Sequence, residues 1–312
     1  MTPSHRSPIS LTRSGVSDLF GIPFTSEQLD AITAPHQPAV VIAGAGSGKT
    51  ALMSARVVWL VAHGLVEPSA VLGLTFTNKA ASELSARVRS AVRLLDGSPD
   101  AWAEGEPTIS TYHSYAAALL RDYGLWVGLE PSAQLLTDAA RVQLAESVVR
   151  GAPGPFPALG VRITTLTERL LTLDAELNEH LVDVGALMDH DAALIVQLDA
   201  LEVLDGKLTA DPKQARQVAR ARLELAPLVA EFRRQKRLRE RVDFGDQMAA
   251  AALLAEQVGA VGAGERDRFA TILLDEYQDT SMAQRRLLVA LFGGYGTWRV
   301  LRAPPVPYLR SE

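Results

Sequence analysis

The sequence has no cysteine among its 312 residues. This absence excludes disulfides, thiolate zinc sites and cysteine-ligated iron–sulfur clusters within the chain. The six histidines are scattered and do not show the spacing of metal ligands. The composition therefore gives no support for a metal centre built from cysteine or histidine.

Long apolar runs are also missing. None approaches the roughly 18 residues that a membrane span requires, and the opening MTPSHRSPISLTRSG lacks the apolar segment of a signal peptide. We therefore expect a cytoplasmic protein with no membrane contact. The opening residues are rich in Ser, Thr and Pro, which predicts a disordered lead-in over residues 1–20.

Positive charge is in slight deficit. The chain has 31 Lys and Arg against 36 Asp and Glu, which gives a net charge of −5. Such a field would repel a polyanion, so a nucleic-acid partner would have to be held by a local basic patch. With 47% hydrophobic residues, the chain can bury a sizeable core in one large domain or two smaller ones.

The order of apolar patterns predicts an α/β protein. Ser26 is the expected N-cap of a short helix, and AVVIAG (39–44) reads as a buried strand followed by a helix from Lys49. A second buried strand, SAVLGLTF (69–76), precedes a helix that begins after Thr77. This alternation of strands and helices is typical of a parallel sheet.

The middle of the chain has a different character. From about residue 125 to 240, Leu, Ala, Glu and Arg recur at helical spacing with little strand pattern. The strand pattern returns at FATILLDE (269–276). We therefore expect the parallel sheet to resume after an inserted all-helical subdomain.

A glycine-rich turn, AGAGSGKT, joins the first predicted strand to its helix. Such a turn leaves backbone N–H groups pointing into a concavity at a helix N-terminus, which suits a phosphate chain. Lys49 would add a mobile charge for the β- and γ-phosphates, and Thr50 a hydroxyl ligand for Mg²⁺. The alternative is a glycine-rich turn that binds nothing. The nucleotide-binding candidates in this turn are Ala43, Gly44, Ala45, Gly46, Ser47, Gly48, Lys49 and Thr50.

An acidic pair follows the last predicted strand, in ILLDEYQDT (272–280). Asp275 is placed to hold the Mg²⁺ shell, and Glu276 to orient and deprotonate an attacking water. The alternative is an ordinary solvated strand end. With Lys49, these two carboxylates are the predicted catalytic residues, and Thr50 and Asp275 are the predicted metal ligands.

Six segments occur in a fixed order: FTSEQLDAI, AGAGSGKT, TFTNKAASEL, TYHSYA, DFGD and DEYQDT. Over residues 20–293 they resemble the N-terminal half of superfamily 1A DNA helicases, the UvrD/PcrA/Rep group, and most of all actinobacterial helicase–nuclease subunits. In this family Ala43 commonly replaces the first glycine of the strict P-loop pattern. The resemblance implies a P-loop NTPase (RecA-like) fold that uses ATP and Mg²⁺ to move 3′→5′ on single-stranded DNA and open duplex in repair or recombination.

The resemblance also implies a domain division. After the family pattern ends, the chain reads YGTWRVLRAPPVPYLRSE, without the V-G-D-x-x-Q-S-I-Y segment. We expect it to lack the second RecA-like domain with its arginines, to bind ATP and to hydrolyse it weakly; a truncated or out-of-frame product is one hypothesis. The expected parts are the core (21–124), the helical insertion (125–240), the resumed core (241–293) and an atypical tail (294–312).

Two positions near the P-loop follow from the resemblance. Gln28 matches the glutamine that recognises adenine, since an amide can pair with the amino group and a ring nitrogen together. The alternative is an ordinary exposed helix residue. Family members such as UvrD often carry an arginine directly after the P-loop threonine. This chain has Ala51 there, and Arg56 is a candidate replacement for the lost nucleotide contact.

The resemblance implies contacts with single-stranded DNA and duplex ends. An aromatic face such as that of Phe76 can stack on a base without recognising its identity. The alternatives are core packing for Phe76, and a core tyrosine beside a capping histidine in TYHS. The implied DNA-contacting residues are Thr75, Phe76, Asn78, Thr111, Tyr112 and His113, with Ser114 beside them.

A basic run, EFRRQKRLRERV, precedes DFGD. At helical spacing it would place arginines on one stripe and pair Lys236 with Glu240 across a turn. The stripe could follow a DNA backbone, or it could be a solvated helix face. Asp243 and Asp246 of DFGD are predicted to be structural rather than catalytic. The predicted stripe is Arg233, Arg237 and Arg241, with Arg234 beside it.

One other function remains open. The chain could be a non-catalytic, ATP-dependent DNA-binding or regulatory module that acts with a full-length helicase. It could also have a helicase or nuclease partner subunit. A kinase-like or transport P-loop NTPase has no support beyond the P-loop itself, and the segments DEYQDT and TFTNKAA argue against it.

Overall fold

The computed structural model describes residues 11–44, 46–96, 105–129, 133–160, 162–205, 207–293 and 299–302. Short 3₁₀ turns lie at Pro68–Ala70, Gly124–Val127 and Tyr277–Asp279. The helices are α1 (Gly15–Phe20), α2 (Ser26–Thr33), α3 (Lys49–Ala62), α4 (Asn78–Asp96), α5 (Tyr112–Tyr123), α6 (Asp138–Gly151), α7 (Ile163–His180), α8 (Val184–Asp205), α9 (Ala210–Leu238), α10 (Phe244–Gln257), α11 (Gly259–Arg268) and α12 (Met282–Phe292). The strands are β1 (Ala39–Ile42), β2 (Val71–Thr75), β3 (Thr108–Thr111), β4 (Gln134–Leu135), β5 (Arg241–Val242), β6 (Thr271–Leu274) and β7 (Arg299–Arg302).

The chain divides into two compact units. The first is drawn from Met1–Tyr115, Val258–Thr280 and Leu288–Glu312, and the second from Ala116–Gln257 and Ser281–Leu287. No helix in the described part of the chain is long and apolar enough to cross a membrane.

Parallel strands organise the first unit. β2 lies between β3 and β6, and Leu72 at its centre is opposite Thr108 on one side and Ile272 on the other. The predicted return of the sheet at β6 is therefore observed. β1 pairs in parallel with β7, with Ala39 opposite Arg299. Among the described strands, β1 thus has its ladder with β7 and not with the three-stranded sheet.

The burial of β1 differs from the prediction. β2 is buried at every position, as expected of a strand with neighbours on both sides. β1 instead alternates, with Val40 39% and Ile42 53% exposed while Val41 packs on the core. An unbroken apolar run predicts a strand, but it cannot tell whether one face or both faces will be covered.

The predicted lead-in is partly structured. Residues 15–20 form α1, Val16 is fully buried, and Leu11 is buried beside it. Leu19 and Phe20 pack on the same core. The prediction of disorder followed the average composition, which hides the few apolar side chains that reach the core. Residues 1–10 of the predicted lead-in lie outside the described residues.

The second unit is mainly helical in its described residues. Its core includes Phe232, Leu170 and Val229, all of them fully buried, from α9 and α7. The two-residue strands β4 and β5 form a short parallel pair. The division of the chain at residues 125 and 240 into a RecA-like core and a helical insertion stays a prediction. The predicted tail lies outside the described residues except for 299–302.

The predicted basic stripe is wrong. α9 ends at Leu238, so Arg241 lies in β5 and cannot continue a helical face. Arg233 instead donates to Asp174 at 2.6 Å and to Asn178 at 2.7 Å. The helical-spacing argument failed because the helix stops and because the acidic partner comes from α7, which no local pattern indicates.

Lys236 lies at the centre of a buried cluster of charges. Its side chain is 3% exposed, and its ammonium donates to Asp174 at 3.0 Å, Asp243 at 2.9 Å and Asp246 at 2.8 Å. Burial alone would lower the pKa of Lys236, but the three carboxylates raise it above its ordinary value. Both aspartates of DFGD therefore take a structural part, and the predicted pair with Glu240 does not form.

We expect Lys236→Ala to destabilise the second unit by about 3–5 kcal/mol, because the clustered carboxylates lose the buried ammonium that bonds to all three of them. Arg233 beside Asp174 and Arg141 beside Asp243 remain as partial compensation. Arg234→Ala on the same helix is the matched control, since Arg234 is exposed and pairs with exposed Glu231. Urea denaturation monitored by circular dichroism measures both variants. Equal midpoints for the two variants would contradict the importance of the cluster.

Candidate functional site

Gln28 is fixed by a capping box at the start of α2. Thr25, not Ser26 as predicted, is the N-cap: its hydroxyl accepts from the Gln28 N–H at 3.3 Å, and its own N–H donates to Gln28 Oε1 at 2.8 Å. Either hydroxyl residue could cap a helix, but only Thr25 has a glutamine three positions later to complete the box. The Gln28 side chain is therefore held at a defined place.

The amide end of Gln28 reaches the glycine turn. Nε2 donates to the Ser47 carbonyl oxygen at 2.8 Å. An amide has two N–H donors and two acceptor lone pairs, so one donor and one lone pair of Gln28 remain for a ligand. This is the combination that pairing with adenine would use.

The glycine turn bends through left-handed backbone. Gly46 and Gly48 have φ of 73° and 75°, values that residues with a Cβ adopt only with strain. Gly48 is the N-cap of α3, and Lys49 begins the helix. Ala43 and Gly44 connect β1 to this turn, and Ala45 lies outside the described residues. The amides at the start of α3 lack helical partners, as at any helix N-terminus.

Ser47 supplies the observation that a ligand would explain. Its side chain is buried, and its hydroxyl oxygen has no hydrogen-bond partner among the residues that the structure describes. A buried hydroxyl without a partner costs free energy, and a phosphate oxygen at the α3 N-terminus would accept a hydrogen bond from it. Thr50 is half-buried in the first turn of the same helix. The residues present thus fit a nucleotide phosphate chain.

The acidic pair meets the glycine turn in space. The Asp275 N–H donates to the Leu74 carbonyl at 2.9 Å, which continues the pairing of β6 with β2 by one residue. Glu276 then adopts a left-handed backbone conformation, with φ of 47°, that residues other than glycine rarely adopt. Its carboxylate lies 3.4 Å from the Lys49 ammonium. Lys49 of the glycine turn and Glu276 of the acidic pair are therefore neighbours in space, although they are far apart in the sequence.

The two carboxyls have opposite electrostatic environments. Burial, followed by the negative charge of Glu276, raises the pKa of Asp275. A hydrogen bond from Gln278, followed by the charge of Lys49, lowers the pKa of Glu276. Glu276 is therefore ionised near neutral pH, whereas Asp275 holds its proton at a higher pH than an ordinary aspartate.

The predicted DNA-contacting residues divide by exposure. Phe76 is 36% exposed, and its ring lies 5.0 Å from that of buried Tyr112. Asn78 is exposed at the start of α4. Buried Thr75 donates to the Thr77 carbonyl. The structure therefore leaves Phe76 and Asn78 as candidates for direct contact with DNA.

The TYHS segment is occupied with internal contacts. The Thr111 hydroxyl donates to the Ser114 hydroxyl at 2.8 Å, and burial lowers the pKa of His113. Tyr112 donates to the Asp275 carbonyl at 3.2 Å. Sequence reasoning missed this link to the acidic pair, because nothing in the local pattern indicates a partner so far along the chain.

The predicted nucleotide contact by Arg56 is not what the structure shows. The guanidinium donates to backbone carbonyls after and within the end of α2, including Ile32 at 2.8 Å and Pro35 at 2.9 Å. Arg56 lies two turns beyond Lys49 on α3, which carries it away from the start of that helix. Arg56 therefore does not replace the arginine that family members carry at the position of Ala51.

Comparison with known proteins places the chain in a family. Residues 24–299 match the family model described as "UvrD/REP helicase N-terminal domain". The ATP-dependent DNA helicase UvrD1 of Mycobacterium leprae is 29% identical over 268 residues, which cover 86% of this chain and 30% of that protein. The UvrD1 of Mycobacterium tuberculosis (strain ATCC 25618 / H37Rv) is 30% identical over the same coverage.

The ATP-dependent DNA helicase PcrA of Staphylococcus aureus (strain NCTC 8325 / PS 47) is 27% identical over 266 residues, or 85% of this chain and 31% of that protein. The chain thus spans less than a third of the length of the relatives that it matches. The match includes the glycine turn, the acidic pair and the strands that bring them together. Since the family model covers most of the sequence, the chain belongs to the UvrD/REP helicase N-terminal domain family.

Proposed function

We propose that this chain is the ATP-binding domain of a UvrD-like helicase, which couples ATP hydrolysis to 3′→5′ translocation on single-stranded DNA and to duplex unwinding in DNA repair or recombination. The observation that carries the proposal is the 3.4 Å approach of the Lys49 ammonium to Glu276. It joins a phosphate-binding turn to a carboxylate pair. The relatives' names, ATP-dependent DNA helicase, agree with this assignment.

The phosphate chain of ATP would bind at the N-terminus of α3. Backbone amides of the glycine turn and the Ser47 hydroxyl would donate to phosphate oxygens, and Lys49 would neutralise the β- and γ-phosphates. Gln28 would pair with adenine through its remaining donor and acceptor. The adenine would then be recognised by a side chain that the turn itself holds in place.

The carboxylates divide the remaining chemistry. Thr50 and Asp275 are the proposed ligands of Mg²⁺, which when bound would stabilise charge developing on the phosphate oxygens. Glu276, ionised and no longer paired with Lys49 once the ammonium binds phosphate, would orient a water and accept its proton.

For these 312 residues tested by themselves, we propose ATP binding with weak hydrolysis. The family resemblance assigns the arginines that stabilise the transferring phosphate to a second RecA-like domain, and such arginines contribute about 10³–10⁵ in rate in related hydrolases. A full-length helicase or a nuclease subunit is the proposed partner, and the cytoplasm the proposed location.

Lys49→Ala and Glu276→Gln should separate binding from hydrolysis. Lys49→Ala removes the cation for the phosphates and should abolish measurable ATP binding, whereas Glu276→Gln should keep binding and lose whatever DNA-stimulated hydrolysis the chain has. Calorimetric ATP titration and phosphate release, with and without single-stranded DNA, provide the measurements. Lys213→Ala, which removes an exposed lysine from α9, is the control. Undiminished ATP binding by Lys49→Ala would refute the proposal.

Mg²⁺-dependent ATP binding should be lost on acidification at a pH above the usual range of an aspartate. The folded pKa of Asp275 is raised, so its carboxylate is neutralised earlier as pH falls, and the neutral acid holds Mg²⁺ poorly. ATP binding is measured over a pH series for wild type and for Asp275→Asn. The variant serves as the reference, because the protonation of ATP itself affects both proteins equally. Identical pH profiles for the two proteins would argue against Asp275 as a ligand.

Phe76→Ala should weaken binding of single-stranded DNA by about 1–3 kcal/mol, the usual effect of losing one stacked base. Fluorescence anisotropy with a labelled oligothymidylate measures the loss. Trp126→Ala is the matched control, because Trp126 is an exposed aromatic residue that belongs to neither of the segments implied to contact DNA. If Phe76→Ala binds DNA like the control, Phe76 does not stack on DNA.

A further inference from the structure

Arg56 is engaged by the end of a neighbouring helix. Nη1 donates to the carbonyls of Ile32, at 2.8 Å, and Ala34, while Nη2 donates to the carbonyl of Pro35 at 2.9 Å. These carbonyls lie at and just beyond the C-terminus of α2, where helical partners end. One half-buried guanidinium therefore satisfies three backbone acceptors that the helix itself cannot satisfy.

Charge favours the same arrangement. The C-terminus of a helix carries partial negative charge, which a cation stabilises. The planar guanidinium offers several donors in a fixed geometry, so it restrains the direction of α2 as well as its distance from α3. A lysine would keep the charge but could not hold three carbonyls in this way.

The opposite end of α2 carries Gln28. Its Nε2 donates to the Ser47 carbonyl in the glycine turn, and its Oε1 closes the capping box with Thr25. α2 has eight residues and is tied to the turn at its first turn and to α3 at its last. Movement at the Arg56 end would therefore move the amide at the Gln28 end.

The loop after α2 makes one further tie within the first unit. The His36 Nε2 lies 2.7 Å from the Thr271 hydroxyl, at the first residue of β6. β6 leads directly into Asp275. The segment that Arg56 restrains is thus also joined to the strand that carries the acidic pair.

We propose that Arg56 is a positioning residue for adenine recognition: it holds α2 so that the Gln28 amide stays against the glycine turn. The inference rests on the proposed ATP binding. Arg56 acts through α2 and does not contact the nucleotide. Loss of Arg56 should therefore weaken the contribution of the base to binding and leave the contribution of the phosphates intact.

The test compares ATP, GTP and inorganic tripolyphosphate, with Mg²⁺, on the full chain. Arg56→Ala should raise the Kd for ATP about tenfold, while the affinity for tripolyphosphate should stay within about twofold of the wild-type value. The ATP-to-GTP preference should fall to that of Gln28→Ala, and the double variant should be no worse than Gln28→Ala alone, since both changes act on one contact. Arg56→Lys should restore the preference only partly.

Hydrogen exchange of nucleotide-free protein gives a readout that does not depend on ATP binding. Amides of Ser26–Thr33 should exchange faster in Arg56→Ala than in wild type and in Arg87→Ala, an arginine-to-alanine control on the exposed face of α4. Unchanged exchange in α2 overturns the proposal. So does faster exchange with the ATP-to-GTP preference intact, or an equal loss for ATP and tripolyphosphate, which would indicate general damage to the phosphate site.

Failure of the proposed function gives a different result. If Lys49→Ala binds ATP and tripolyphosphate as wild type does, the phosphate site assigned to the glycine turn is wrong. The exchange measurement would then still decide whether Arg56 restrains α2.

Discussion

The parallel pairing of β2 with both β3 and β6 is the constraint on which the candidate site depends. Parallel strands end at the same edge of a sheet, so residues that follow them become neighbours however far apart they are in sequence. Phe76 follows β2, Tyr112 follows β3 and Asp275 follows β6. The register, with Thr75 opposite Thr111, sets the ring contact and the hydrogen bond between these residues.

The backbone takes left-handed conformations where it leaves this edge and where it passes through the glycine turn. Two glycines adopt left-handed backbone without cost, but Glu276 does so with a full side chain. A strained non-glycine residue persists only when its surroundings fix it, and such residues are common at functional sites. Here Gln278 and Lys49 bind the Glu276 carboxylate, and the same contacts lower its pKa.

In each of the two units, certain arginine and lysine side chains make internal contacts instead of contributing to a charged surface. In the first unit Arg56 binds backbone carbonyls, and in the second Lys236 and Arg233 bind buried aspartates. Buried charges are tolerated only when they are paired and hydrogen-bonded, so each of these cations fixes the geometry of the elements that it joins. A count of basic residues therefore overstates the positive surface available to a polyanion.

The sequence by itself determined the parallel α/β pattern, the glycine turn, the acidic pair and the family. These depend on local properties: periodicity of apolar residues, glycines at left-handed positions, and short motifs in a fixed order. The structure altered expectations wherever the decisive partner was distant. The prediction of Ser26 as the N-cap was wrong by one residue, although the capping box of Thr25 and Gln28 is local. Only the fold showed that Gln28 also binds the Ser47 carbonyl.

Tertiary structure alone decided which charges are internal and which aromatic ring is exposed. Composition predicted disorder where α1 packs, and helical spacing placed Arg233 and Lys236 on a surface that they do not occupy. Arg56 looked available for a nucleotide and instead holds the end of α2. The physical reason is common to all three: burial and ion pairing are set by residues that come together only when the chain folds, and no local pattern records them.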